Sequence, residues 1–278
     1  SPAAAFDDMQ LADCQNALFA MADVVEDLSM ISGPDLATDA TDVRNTQQDL
    51  TDDGWCRLIG GAIGIPESDF TTLEWQAEGI NRLIDDGALP LAFRMRMKLR
   101  DIPSDAPIDL EMTLRQVPES GLLLIENATY YDDNGVWLTV TAVLNGAFLG
   151  TLSSTLSSLG GITLKQAAAR ISITPARLTG EFEPNKPFVD DVHNTIVNLL
   201  DGLDSTQLPD DSRAALSALL AELPDAQGDL TMEMTSEFGL GWLQLVVAGS
   251  INPDATEAEI FGFALLGTTL NAHWAPVE

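Results

Sequence analysis

The sequence predicts an α+β protein in which antiparallel β-meanders are covered by amphipathic helices, with an internal match that extends the reading to two tandem related halves. Three observations lead there. Apolar residues recur at helical spacing near the N terminus and again after Phe188. From Leu91 the period switches to two, the alternation of a half-buried strand. Helices precede a Met-x-Met strand in both halves of the chain, an order that favours helices segregated on an antiparallel sheet.

The first helix is predicted over ADCQNALFAMADVVEDLSM (Ala12 to Met30), where Leu18, Met21, Val24, Val25 and Leu28 share a face and acids lie on the other. GPDLATDATDVRNTQQDLTDDG has no periodicity and reads as loop. TTLE (Thr71 to Glu74) has capping-box spacing, which predicts a helix running to Asp86 and closed by Gly87.

LAFRMRMKLR (Leu91 to Arg100) then concentrates four of the 13 basic residues. Leu91, Phe93, Met95, Met97 and Leu99 fall on one face, and Arg94, Arg96, Lys98 and Arg100 on the other. A turn at Pro103 to Ala106 leads into PIDLEMTLRQV, where Ile108, Leu110, Met112 and Leu114 alternate with Asp109, Glu111, Thr113 and Arg115. GLLLIENATYY, the turn DDNG and VWLTVTAVL complete a four-stranded meander over about residues 90–145; Asn134-Gly135 predicts a type I′ hairpin turn.

NGAFLGTLSSTLSSLGG is small residues and leucines, a short helix, a connector or a movable cover. A strand is predicted at ITLKQAAARISIT and helices at VDDVHNTIVNLLDGL and DDSRAALSALLAEL, the second capped by Asp211 or Ser212. Strands follow at GDLTMEMTSE, LGWLQLVVAGS, AEIFGFALLG and TTLNAHWA. An offset of about 137 residues sets FRMRMKL on LTMEMTS and GLLLIENATY on EIFGFALLGT. The expected organisation is therefore residues 1–145 and residues 146–278, as two halves or one continuous domain.

Composition bounds function. With 43 acids against 13 bases, formal charge −30, the surface repels nucleic acid and anionic headgroups. No apolar run reaches the roughly 18 residues of a membrane-spanning helix. The opening SPAAAFDD resembles the mature side of a signal-peptide cleavage site or a cloning remnant. Cys14 and Cys56 are expected to pair as a disulfide in an exported protein, periplasmic or extracellular, of a bacterial envelope type.

Catalytic signatures are missing. The two histidines, His193 and His273, belong to no metal-spaced cluster, and no nucleophile elbow, phosphate loop or dinucleotide fingerprint occurs. No catalytic residue, metal ligand or cofactor is assigned. A hydrolase using two of the many carboxylates ranks last. DLATDATD and DLTDDG offer oxygens without EF-hand spacing and read as solvated loop, and NAT at Asn127 matches a glycosylation sequon inside a predicted strand.

Two sites remain. The basic face of the decapeptide pairs across the meander, Arg100 with Asp109, Lys98 with Glu111 and Arg96 with Thr113, as a solvent-facing charge ladder. That register leaves Arg94 and Arg96 with no acid directly opposite, which makes them the polar docking candidates for an acidic partner or headgroup. The apolar face presents Phe93, Met95, Met97, Met112 and Leu114, joined by Met232 and Met234 of the second half. Methionine adapts to variable apolar shapes. The face is either ordinary core or the wall of a pocket for a lipid-like molecule. The functional expectation is a non-catalytic exported protein binding a hydrophobic ligand; the alternative is a structural or interaction subunit of an extracellular or envelope assembly, docking proteins through its acidic surface or edge strands.

Overall fold

The computed structural model describes residues 6, 9–32, 41–60, 70–78, 94–102, 108–117, 120–146, 161–181, 188–241, 247, 250 and 253–278. These are rich in antiparallel strand with a few helices, an α+β composition. The chain divides into two compact units, Ser1–Asp133 with Ala147–Leu159, and Asn134–Gly146 with Gly160–Glu278.

The first unit begins with α1 (Leu11–Ser32) and strands β1 (Asp49–Leu50), β2 (Cys56–Ile59), β3 (Thr72–Glu78), β4 (Arg94–Ile102), β5 (Ile108–Val117) and β6 (Leu122–Asp132). Each strand pairs antiparallel with the next in chain order. Its core brings Met9 and Cys14, Leu18 and Ala22 of α1 together with Val43, Cys56, Leu58, Phe70 and Trp75. The Cys14–Cys56 disulfide forms as expected and ties α1 to β2.

The second unit holds β7 (Gly135–Asn145), β8 (Thr163–Ile173), α2 (Pro175–Glu181), α3 (Phe188–Asp201), α4 (Asp210–Glu222), β9 (Gly228–Gly241), α5 (Glu257–Ala264) and β10 (Thr268–Pro276). Here too the order is β7-β8-β9-β10, all antiparallel. Leu216 and Leu219 of α4 pack with Leu203, Leu208, Ala226, Leu230, Leu265 and Trp274. The outer side of β10 is met by the start of α4 and the residues before it: Leu270 N–H donates to the Gln207 carbonyl (2.7 Å) and Ala272 N–H to the Ser212 hydroxyl (2.9 Å). These two outward amides of β10 are no longer offered to another chain.

Several expectations need correction. The helix predicted from Thr71 to Asp86 is a strand over Thr72–Glu78, residues 79–93 lying outside the described ones. Capping-box spacing is a four-residue signal; the alternation of Leu73, Trp75 and Ala77 with Glu74, Gln76 and Glu78 has period two and prevails. The acidic loop contains a helical turn at 41–45, held by buried Val43 and by Arg44, which pairs with Asp23 (2.6 Å) and Glu26.

AEIFGFALLG, expected as a strand, is α5; Thr256 caps it by accepting from Glu259 N–H (3.2 Å), and acids occupy the first turn. Val247 and Ser250, in another predicted strand, are helical. The offset alignment thus sets β6 against a helix. The N-cap of α4 is Pro209, whose side chain has no acceptor; Asp211 and Ser212, the expected caps, lie inside the first turn, where the Ser212 hydroxyl accepts from Ala272 N–H. Gly135 has φ +104° but Asn134 has no positive φ, so the turn is not type I′. Phe93, the Pro103–Ala106 turn and residues 147–160 of the small-residue segment lie outside the described residues.

Candidate functional site

Three strands build the basic face. On the β5 side Lys98 lies opposite Glu111 and Arg96 opposite Thr113, the expected register. A bulge between Leu99 and Ile102 takes Arg100 out of direct pairing, with Asp101 at φ +52°. The Asp109 carboxylate holds that bulge, accepting from Arg100 (3.0 Å) and from Asp101 N–H (3.0 Å).

The β3 side, where capping-box spacing predicts a helix, is a strand and supplies the missing partners. Glu78 lies opposite Arg94, Gln76 opposite Arg96 and Glu74 opposite Lys98. The Glu126 carboxylate, which sits at a bulge of β6, reaches Arg94 (3.3 Å) and Arg115 (2.7 Å).

Aromatic rings cover the same strip. Trp55 precedes Cys56, so strand alternation turns it to the face opposite the disulfide. The Lys98 ammonium lies 3.9 Å from the Trp55 ring and the Arg96 guanidinium 4.7 Å. Phe6 stacks on Arg94 (4.4 Å) and Arg96 (4.6 Å). Such contacts contribute about 0.5–1 kcal/mol each when exposed and more when desolvated.

Arg96 also donates to Gln76 Oε1 (2.6 Å), and Gln76 Nε2 donates to the Gly54 carbonyl (3.0 Å). The turn carrying Trp55 is closed by Trp55 N–H donating to the Thr51 hydroxyl (2.9 Å). Asp53 in that turn is held below the ordinary carboxylate range, first by the Thr51 hydroxyl and to a smaller degree by the fields of Lys98 and Arg96. Arg57 likewise holds Asp49 down through a direct hydrogen bond. The two residues singled out for docking are thus engaged within their own unit. Sequence reasoning missed Phe6, Trp55, Gln76 and Glu126; the alternation around Cys56 was the available signal for Trp55.

On the apolar face, Met95 lies opposite Leu114 and Met97 opposite Met112. Met95, Met97 and Leu99 pack against the α1 cluster. Met112 and Leu114 are half-buried, and among the described residues they are not part of that cluster or its fringe. Ile125 of β6, opposite Leu114, extends the same side.

In the second unit Met232 lies between Ala169 and Ala272 and packs on the core, while Met234 lies between Ala167 and Leu270. Its other face is polar, with Arg170 paired to Asp229 (2.5 Å). Asn127 accepts from the Thr129 hydroxyl (2.9 Å) within β6. Among the described residues no group of three His, Cys, Asp or Glu is placed to hold a metal, and no helix is long and apolar enough to cross a membrane.

No protein-family model matches the chain, and no curated protein and no solved structure matches it either.

Proposed function

We propose that this is a non-catalytic, exported protein that holds a hydrophobic, lipid-like molecule against the Met-rich apolar face of β4–β6. One contrast carries the reading. All of these side chains are half-buried, but Met95, Met97 and Leu99 of β4 pack on the α1 cluster, whereas among the described residues Met112 and Leu114, one strand further, do not. An apolar face of thioether and leucine that its own core leaves half-covered suits a ligand of variable shape. Met95 and Met97 form the wall between core and ligand, and Phe93 is a further contact on strand alternation alone. Met234, and less so the core residue Met232, offer a surface of the same kind in the second unit.

We also propose that helices cover the apolar faces of both units, and that the tandem reading of residues 1–145 and 146–278 rests on the Met-x-Met strands β4 and β9. Export to a periplasm or cell exterior is supported by the disulfide, which persists in oxidising compartments. The rival reading is an interaction subunit docking through its acidic surface or edge strands; its edge-strand form is weakened at β10, two of whose outward amides are taken by Gln207 and Ser212.

The test is titration with a dansyl-labelled fatty acid. Saturable binding that is lost in Met112→Gln/Leu114→Gln, with the melting curve retained, supports the proposal. Absence of binding, or binding unchanged in the double variant, refutes it.

A further inference from the structure

We propose that the surface around Phe238 in the second unit docks a cationic, amphipathic segment of another protein. Phe238 is 70% exposed, Leu266 51% and Phe263 41%. Three large apolar side chains in one small region are more than the scattered exposure ordinary on a soluble surface.

The first of them is held in place. Its ring lies over Gly267, where φ is +73° and an added Cβ would come within 2.7 Å of the ring. The backbone beneath is pinned, with Glu237 N–H donating to the Gly267 carbonyl (2.9 Å) and Lys165 Nζ to the Glu237 carbonyl (2.8 Å). A large aromatic carried on a pinned backbone and turned to water has the character of an interface anchor.

Charge selects the partner. On α5, Glu259 and Phe263 are one helical turn apart and share a stripe, and Leu266 follows at the helix end with its N–H on the Phe263 carbonyl (3.2 Å). Glu259 also lines a groove of about 640 Å³ between α3 and α5, together with Asp201, Glu257, Thr195, Asn198 and Thr256. Among the described residues no Lys or Arg lines it. Arg213 reaches Asp201 only at 3.9 Å and directs its N–H groups to the Leu200 (2.8 Å) and Leu203 (2.7 Å) carbonyls.

The apolar stripe therefore runs beside an anionic, acceptor-lined groove. Its complement is a segment that offers apolar side chains to Phe238 and Leu266 and a Lys or Arg to the groove. A second copy of the chain, itself at −30, and an anionic bilayer are both disfavoured by like charge. This surface belongs to the second unit and the apolar face of β4–β6 to the first, so either reading can fail alone.

The experiment measures fluorescence anisotropy of a labelled Lys/Leu amphipathic peptide against the whole protein, with a Glu/Leu peptide of the same apolar pattern and phosphatidylcholine vesicles as competing probes. The expected result is salt-sensitive binding of the cationic peptide alone. It should weaken about tenfold or more in Phe238→Ser/Leu266→Ser and again in Glu257→Gln/Glu259→Gln. Circular dichroism confirms that the variants fold. Equal affinity in the Phe238→Ser/Leu266→Ser variant would mean bulk charge alone attracts the peptide and would overturn the proposal. So would preference for the vesicles, or failure of the cationic peptide to bind.

Discussion

Arg96 is held from three sides: by Phe6, by Trp55 and by the Gln76 amide, which in turn is held by the Gly54 carbonyl. Removing the guanidinium takes away both ring contacts and leaves a buried amide oxygen without its donor. Arg96→Leu should lower stability by about 1–3 kcal/mol in urea unfolding, while Arg96→Lys, which keeps the charge, should lose less. An unchanged midpoint for Arg96→Leu would show that the strip is not structural.

A pH effect belongs at this scale too. Asp204 is held below the ordinary carboxylate range, first by the Thr206 hydroxyl (2.5 Å) and then by the backbone N–H groups of Gln207 and Thr206. Its folded pKa is the lower one, so its contribution is present above about pH 4 and is lost as pH falls through the folded value. Wild type and Asp204→Asn should therefore differ in melting temperature at neutral pH and converge in acid; a constant gap would contradict this. At this scale the charge sorting of the decapeptide was readable from alternation. Its aromatic cover was not, because Phe6 and Trp55 are remote in sequence from β4 and nothing local couples them.

Among the elements, the long antiparallel strands were the most legible. β4, β5, β6, β7 and β8 announce themselves by unbroken two-residue alternation or dense β-branched and apolar runs. The short elements went astray where a local signal opposed the tertiary one. At Thr72–Glu78 a capping-box spacing competed with pairing to two neighbours, and pairing prevailed. At Glu257–Ala264 an apolar run too short to separate strand from helix by period was decided by Thr256 at its start.

The disulfide fastens α1, whose residues Cys14, Leu18 and Ala22 are buried, to β2 across 42 residues. Closing a loop of that size stabilises by about 2–4 kcal/mol. The variant Cys14→Ser/Cys56→Ser should lose that amount in urea unfolding. Hydrogen exchange should show the loss first in the amides of α1; uniform deprotection would argue that the tether acts on the unfolded chain alone.

For the whole molecule the dominant fact is a formal charge of −30. Self-repulsion of that size opposes the compact state and is screened within about 10 Å at 0.1 M salt. The melting temperature should therefore rise with sodium chloride, in scanning calorimetry from low to near-molar salt. A fall would mean that the local ion pairs of Arg44, Arg94 and Arg170 outweigh the net field. Composition made the surface legible and set an expectation against nucleic acid as a partner. It was silent on ligand, because a methionine filling a core and one lining a pocket have the same sequence pattern. Met112 is the residue at which the two differ. Native mass spectrometry of gently purified protein decides it most directly: the account predicts wild-type protein carrying a lipid-sized adduct that Met112→Gln/Leu114→Gln lacks, and bare protein at the sequence mass in both would contradict it.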